Sequence, residues 1–204
     1  MVLWRHGRTA WNGEHRFQGH TDISLDQVGR SQAARASERL AELAPQLIVS
    51  SDLSRARDTA AELAGRVGLV VAVEPALRET SGGRWEGQRD TDLALDPDYL
   101  AWATGADVAA GGAETRSQVA HRAVAAVRAA VDQLDDDGLV VITTHGGTIR
   151  CILGRLLDLP VDQWRIFGGL ANCCWSVLEE GQSGWRLTEH NAGSLPEAVL
   201  GDDQ

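Results

Sequence analysis

Short runs of apolar, often β-branched residues alternate along the chain with longer stretches in which apolar positions recur every three or four residues. The short runs at 2–4, 47–49, 69–73 and 139–143 predict strands. The longer stretches predict helices at 24–43, around 56–67, from 115 to about 134, and at 148–157. Strands that alternate with helices are typical of a mostly parallel sheet that is covered by helices on both faces.

Capping residues and turns refine this pattern. Ser24 with Gln27, and Thr115 with Gln118, have the spacing of capping boxes at helix starts, and Val28 and Leu43 belong to the apolar stripe of the first long helix. Residues 173–178 and 185–189 predict an antiparallel hairpin. We therefore expect an α/β fold, a three-layer αβα sandwich with a mostly parallel central sheet and an antiparallel edge. It forms a single domain over 1–204 with an irregular, lid-like insert at about 75–113.

Composition narrows the class of protein. The chain has 204 residues, 43% of them hydrophobic, and a formal net charge of −10, which argues against a nucleic-acid partner. It contains no lysine, so a Walker lysine and a Schiff-base lysine are excluded. No apolar run has the roughly 18 residues of a membrane span, and no secretory leader is recognisable. We expect a cytoplasmic protein whose three cysteines, without a C-x-x-C pair, are buried thiols.

Reactive residues follow three of the predicted strands. Ligands of open α/β sheets bind beyond the carboxyl ends of the strands, and a single histidine there is more often structural than catalytic. Here several such residues are expected at one edge: Arg5-His6-Gly7, Ser50-Ser51-Asp52 with Arg55, and Thr144-His145-Gly146-Gly147. Together they predict a basic pocket in an acidic protein, which suits a phosphoryl group.

Five ordered blocks carry a resemblance to a known family. They are LWRHGRTAWN at 3–12, FQGHTDISL at 17–25, SSDLSRARDTA at 50–60, LRETSGGRWEG at 77–87 and THGG at 144–147. In these blocks the chain resembles the histidine phosphatase superfamily, the phosphoglycerate mutase-like group of branch 1. A three-residue match would be a chance event, whereas five blocks in the family's order are specific.

The resemblance implies a role for each matching residue. His6 would be the nucleophile that forms a phosphohistidine, and Glu79 would be the general acid and then the general base. The phosphoryl group would be held by five residues: Arg5, Asn12, Arg55, His145 and Gly146. Gln18 and Gly19 would contact the rest of the substrate. No metal and no cofactor are implied.

The substrate and the fate of the phosphohistidine are less constrained. Arg89 is the only basic residue between Glu86 and Glu114, whereas a mutase needs a second cationic cluster for a bisphosphate, so hydrolysis is favoured. Four finer features are Gln18-Gly19, SSDL at 50–53, GLVV at 68–71 and WRLTEHN at 185–191. In these features the chain resembles the actinobacterial subgroup that hydrolyses glucosyl-3-phosphoglycerate to glucosylglycerate and phosphate. The alternatives are an α-ribazole-phosphate or broad sugar-phosphate phosphatase, a phosphoglycerate mutase, a non-catalytic phosphate-binding module, and a metal hydrolase that uses both strand-end histidines.

Other aromatic side chains and assembly complete the expectations. Trp11, Trp85 and Trp102 lie in predicted loops, where they would either stack on a sugar or pack a lid. His15, His20, His121 and His190 lie outside the matching positions and are expected to be solvated. The exposed edge of the predicted hairpin, and the resemblance to a family whose members are often dimers, favour a homodimer. The expected partner is a small-molecule phosphomonoester substrate, and no association with a membrane is expected.

Overall fold

The computed structural model describes residues 1–135 and 137–193. The strands are β1 (Val2–Arg5), β2 (Leu47–Ser50), β3 (Val71–Val73), β4 (Val140–Thr144), β5 (Trp175–Gly181) and β6 (Gly184–Ala192). The helices are α1 (Ala10–Gly13), α2 (Gln27–Ala41), α3 (Ser54–Val67), α4 (Asp90–Leu93), α5 (Pro97–Ala103), α6 (Arg116–Val131) and α7 (Gly146–Leu156). Three short 3₁₀ helices lie at Pro75–Leu77, Gly83–Trp85 and Val161–Phe167.

The six strands form one sheet in the order β3-β2-β4-β1-β5-β6. Strands β1 to β4 pair in parallel, and β5 pairs antiparallel with both β1 and β6. The predicted mostly parallel sheet with an antiparallel edge is therefore confirmed. None of the helices in the described part of the chain has the length and apolar character that crossing a bilayer requires.

Two apolar cores lie on opposite faces of the sheet. Strand side chains alternate between the faces, so Leu3 and Ile142 pack with α6 and α7, while Trp4 and Val141 pack with α2 and α3. All four side chains are fully buried. Helices on both faces give the three layers that the sequence predicts and leave the carboxyl edge of the sheet open.

The start of α2 differs from the sequence prediction. The helix is capped by Asp26, whose carboxylate accepts a hydrogen bond from the Gly29 amide at 2.7 Å, and not by Ser24. The preceding Leu25 forms a β-bridge with Thr9, which keeps the chain extended there. As a result Gly29 faces the interior, and Val28 and Leu43 are 39% and 47% exposed rather than part of the core stripe.

Two other elements, α7 and β5, begin at different residues from those predicted, whereas α6 begins as predicted. Helix α7 begins at Gly146, with His145 as its N-cap, so both glycines belong to its first turn rather than preceding it. Cys173 and Cys174 precede strand β5; Cys173 has a φ of 59°, and Cys174 is only half-buried. The predicted capping box of Thr115 and Gln118 is confirmed at the start of α6.

Candidate active site

Strands β1 and β4 place two histidines side by side. Their parallel register pairs Arg5 with Thr144, so the next residues, His6 and His145, leave the sheet together. The two ring centroids are 5.1 Å apart, and the planes are inclined by 60°. Both rings are almost completely buried at the carboxyl edge of the sheet. The predicted meeting of the strand-end residues is therefore observed.

The hydrogen bond of His6 fixes its tautomer. Its Nδ1 lies 2.7 Å from the carbonyl oxygen of Gly7, so Nδ1–H donates and Nε2 keeps a lone pair. Burial lowers the pKa of His6 well below its usual value, and the cationic Arg55 and Arg5 lower it further. At neutral pH the ring is therefore uncharged, and its Nε2 is unprotonated.

The hydrogen bonds of His145 indicate the other tautomer, with the proton on Nε2. Arg55 Nε donates to its Nδ1 at 3.2 Å, so its Nε2–H donates to Ser51 Oγ at 3.0 Å. Burial, followed by the neighbouring Arg55 and His6, lowers the pKa of His145 well below its usual value. His145 is thus a neutral ring that supports Arg55.

Arg55 ties the loop after β1 to this centre. Its guanidinium is fully buried and donates to the carbonyl oxygens of Thr21 at 2.9 Å and Gly19 at 2.8 Å. Burial lowers the pKa of Arg55 to about 10, which leaves it cationic at neutral pH. Gly19 has a φ of +52°, and a Cβ there would lie 2.2 Å from the Glu86 carboxylate, so glycine is needed at this turn.

Glu79 lies against the first turn of α7. Its carboxylate accepts hydrogen bonds from the amides of Gly147 and Thr148, each at 3.0 Å, and from the Thr80 amide at 2.8 Å. A helix N-terminus favours an anion because its amides and dipole are directed at the charge. The Gly147 and Thr148 amides are therefore occupied by Glu79, and the dipole of α7 also favours an anion that binds beside the carboxylate.

Arg122 holds the backbone that carries Glu79. Its guanidinium donates to the carbonyl oxygens of Ala76, Arg78 and Glu79 at 2.7–2.9 Å. It also forms a two-pronged ion pair with Glu114 at 2.7 and 2.9 Å. His20 Nε2 donates to the Glu79 carbonyl at 2.8 Å, so the prediction that His20 is solvated is wrong.

These side chains surround a pocket of about 290 Å³. From the predicted set, it is lined by Arg5, His6, Gln18, Gly19, Arg55, Glu79 and Gly146. Two predicted phosphate ligands do not line it: His145 lies behind His6, and Asn12 Oδ1 accepts the backbone N–H of Thr9 at 3.1 Å as part of the cap of α1. Their contacts with a phosphoryl group stay predictions.

The outer wall contains residues that the sequence analysis did not single out. They are Arg16, Phe17, Thr80, Asp90, Tyr99, Arg150, Gly169 and Leu170. Arg150 could have been found, because it is four residues after Gly146 and therefore on the same face of the helix. Asp90 is in α4, Tyr99 is in α5 and the others come from loops, and their positions depend on tertiary packing that no local pattern records.

Of the three tryptophans considered for sugar stacking, only Trp102 lines the pocket. Its ring stacks on Tyr99, with centroids 6.0 Å apart and planes 28° apart, and packs against the Arg116 guanidinium. Trp85 is fully buried in a cluster with Leu93 and Ala110, and its indole N–H donates to Asp96 Oδ2 at 2.9 Å. Trp11 packs near Gly87.

Two further observations concern metals and the remaining histidines. Among residues 1–135 and 137–193, no group of three or more His, Cys, Asp or Glu side chains could hold a metal ion. His190 is half-buried and hydrogen-bonded to Ser176 and the Phe167 carbonyl, so the prediction that it is solvated is wrong.

A three-layer α/β fold with a neutral histidine, arginines and a carboxylate around one pocket is typical of phosphoryl-transfer enzymes. The sequence profile of the histidine phosphatase superfamily (branch 1) matches residues 1–193, and the chain belongs to this family. The family resemblance that the five sequence blocks indicate is thereby confirmed, and with it the assignment as a phosphatase.

Individual relatives support this placement. The chain is 40% identical to a glucosyl-3-phosphoglycerate phosphatase of Mycolicibacterium vanbaalenii, over 95% of each chain. It is 42% identical to the Mycobacterium tuberculosis protein of the same name, over 87% of this chain and 84% of that one. The structure of the mycobacterial glucosyl-3-phosphoglycerate phosphatase with VO₃ superposes with a TM-score of 0.89 at 43% identity, covering 95% and 98% of the two chains.

Proposed function

We propose that this phosphatase hydrolyses glucosyl-3-phosphoglycerate to glucosylglycerate and inorganic phosphate through a phosphohistidine on His6. The observation that carries the reaction is the neutral His6, whose Nδ1 is occupied by Gly7 and which lines a pocket with Arg5, Arg55 and Glu79. The names of relatives that are 40–42% identical over most of the chain support the substrate.

In the first step, the lone pair of His6 Nε2 attacks phosphorus, and the bond from phosphorus to the ester oxygen breaks. Glu79, as the general acid, gives a proton to the departing alkoxide. Arg5, Arg55 and the dipole of α7 stabilise the negative charge on the transferred group.

In the second step, water attacks the phosphohistidine. The Glu79 carboxylate takes a proton from that water, the N–P bond breaks, and His6 recovers its lone pair. One acid and one nucleophile therefore serve both halves of the reaction. The Tyr99 and Trp102 rings, on the 75–113 segment, supply a flat apolar surface for the glucosyl ring.

The experiment that tests the substrate is a comparison of kcat/KM for glucosyl-3-phosphoglycerate, α-ribazole phosphate, sugar phosphates and phosphoglycerates. We expect the highest value for glucosyl-3-phosphoglycerate. A higher kcat/KM for another monoester would show that the proposed substrate is wrong but would leave the proposed phosphohistidine mechanism unchanged. Mutase activity on phosphoglycerate is measured in parallel, because a probable phosphoglycerate mutase of Erwinia tasmaniensis is 32% identical to this chain over 91% of its length.

Location and assembly are proposals of the same kind. Cys151, Cys173 and Cys174 are free thiols, which suits the reducing cytoplasm. Strand β6 lies at the edge of the sheet, and its outer backbone groups can pair with a second copy to give a homodimer. Solution scattering of the purified protein measures whether it is a dimer.

A further inference from the structure

Arg150 is a pocket residue that the proposed chemistry does not use. It lies in α7, four residues after Gly146 and three after Gly147, so it follows them on the same helix face. All three residues line the pocket. The backbone of Arg150 is thus about one helical turn, roughly 5.4 Å along the axis, from the N-terminus of α7 at the phosphoryl site.

The Arg150 guanidinium lacks an anionic partner within the part of the chain that the structure describes. Its one hydrogen bond runs from Nη2 to the Gly168 carbonyl at 2.6 Å, and its Nε is buried without an acceptor. By contrast, Arg122 and Arg78 each pair with a carboxylate. A buried donor without a partner is costly, and a guanidinium is shaped to bind a carboxylate through two parallel hydrogen bonds.

The surrounding charges leave this cation available for a ligand. Burial lowers the pKa of Arg150, and the cations Arg165 and Arg5 lower it further, while Cys151 and Glu79 act in the opposite sense. Glu79 itself is held by the amides of α7 and does not hydrogen-bond to Arg150. A carboxylate on a bound substrate would therefore enter a region of positive potential.

From these observations we infer that Arg150 is a specificity-determining residue that binds the carboxylate of the phosphoglyceryl unit. The inference rests on the proposed function, because it assumes that the phosphoryl group lies at His6. In a 3-phosphoglyceryl ester the carboxylate and phosphorus are separated by only a few covalent bonds. That separation matches a carboxylate one helical turn from the helix N-terminus.

The test compares two substrates that differ only at the carboxylate. In 3-phosphoglycerate the carboxylate is present, and in glycerol 3-phosphate a hydroxymethyl group replaces it. For Arg150→Gln we expect kcat/KM for 3-phosphoglycerate to fall on the order of 10²-fold, with little change for glycerol 3-phosphate. Arg150→Lys should recover part of the loss, because it restores the charge without the fork.

Arg165→Gln is the matched control. Arg165 is exposed, is near enough to influence Arg150, and does not line the pocket. Its replacement removes one positive charge and should leave unchanged the ratio of kcat/KM for 3-phosphoglycerate to kcat/KM for glycerol 3-phosphate. Activity on glycerol 3-phosphate reports for every variant that the protein is folded.

Equal loss on both substrates, or loss on neither, would overturn the inference. The same result for Arg165→Gln as for Arg150→Gln would also overturn it, since a general field effect would then explain the data. If the wild-type enzyme fails on glucosyl-3-phosphoglycerate but Arg150→Gln still removes the preference for 3-phosphoglycerate, the substrate proposal falls and the role of Arg150 stands.

Discussion

Replacement of Gly147 by alanine should remove activity without unfolding the protein. A Cβ at Gly147 would lie 2.5 Å from Glu79 Oε1 and 3.1 Å from its Cδ, whereas ordinary contact begins at 3.4 Å. The carboxylate must therefore retreat by the difference, about 0.9 Å. A displacement of about 1 Å at a reacting group can cost about 10²-fold in rate, or roughly 2.7 kcal/mol.

The fold should tolerate this change. Gly147 is in the first turn of α7 with an ordinary helical φ, and alanine favours a helix over glycine by about 0.5–1 kcal/mol. That gain offsets part of the weakened hydrogen bonds between Glu79 and the amides. We expect the unfolding temperature to stay near that of the wild-type protein while kcat falls.

Single-turnover kinetics locate the loss. Phosphorylation of the enzyme by p-nitrophenyl phosphate needs little help from an acid, so this step should slow less in Gly147→Ala than the same step with an alkyl phosphate. Gly65→Ala is the control, because Gly65 is exposed in α3 and a Cβ there meets nothing within 4 Å. A kcat for Gly147→Ala equal to that of the wild type would refute the reasoning, as would a matching loss in Gly65→Ala.

Three further predictions follow from the same geometry. Arg122→Gln removes the hydrogen bonds that hold the Glu79 backbone, so kcat should fall more than KM changes, and Arg122→Lys should restore part of kcat. In urea titrations the free energy of unfolding of Arg122→Gln should be about 2 kcal/mol lower than that of the wild type. An unchanged kcat would contradict the positioning role of Arg122. The pKa values of His6 and His145 are lowered in the folded protein, so below about pH 6.5 the unfolded chain binds more protons than the folded one. The free energy of unfolding should therefore fall from pH 7 to 5.5, by up to about 1.4 kcal/mol per pH unit for each ring. A free energy of unfolding that rises as the pH is lowered over this range would contradict this prediction. Gln18→Ala should raise KM for glucosyl-3-phosphoglycerate more than for p-nitrophenyl phosphate, and an equal rise for both would remove Gln18 from substrate recognition.

The parts of the fold that could be predicted are those with strong local patterns. Alternating apolar runs identified the core strands, and the chemistry at the ends of β1 and β4 followed because parallel strands share a carboxyl edge. The convergence of His6, Arg55 and His145 needed no information beyond strand order. The start of α2 was missed because Ser24 and Asp26 are both good caps, and the bridge between Leu25 and Thr9 decides between them.

The outer part of the site could not be predicted in the same way. Trp85 and Trp102 both lie in the segment that the sequence predicts to be irregular, yet one is fully buried and the other lines the pocket. Three of the five hydrogen bonds of Arg122 reach residues 43 to 46 positions away along the chain, and the other two reach Glu114, eight positions away. Such contacts depend on how α6 packs on the 75–81 segment, which no short motif records.

The most direct test of the central claim is to trap the covalent intermediate. After rapid mixing with a ³²P-labelled phosphomonoester and quenching in alkali, we expect acid-labile, alkali-stable label on a peptide that contains His6, and no label on His6→Ala. Label on another residue, or turnover by His6→Ala at the wild-type rate, would contradict the account.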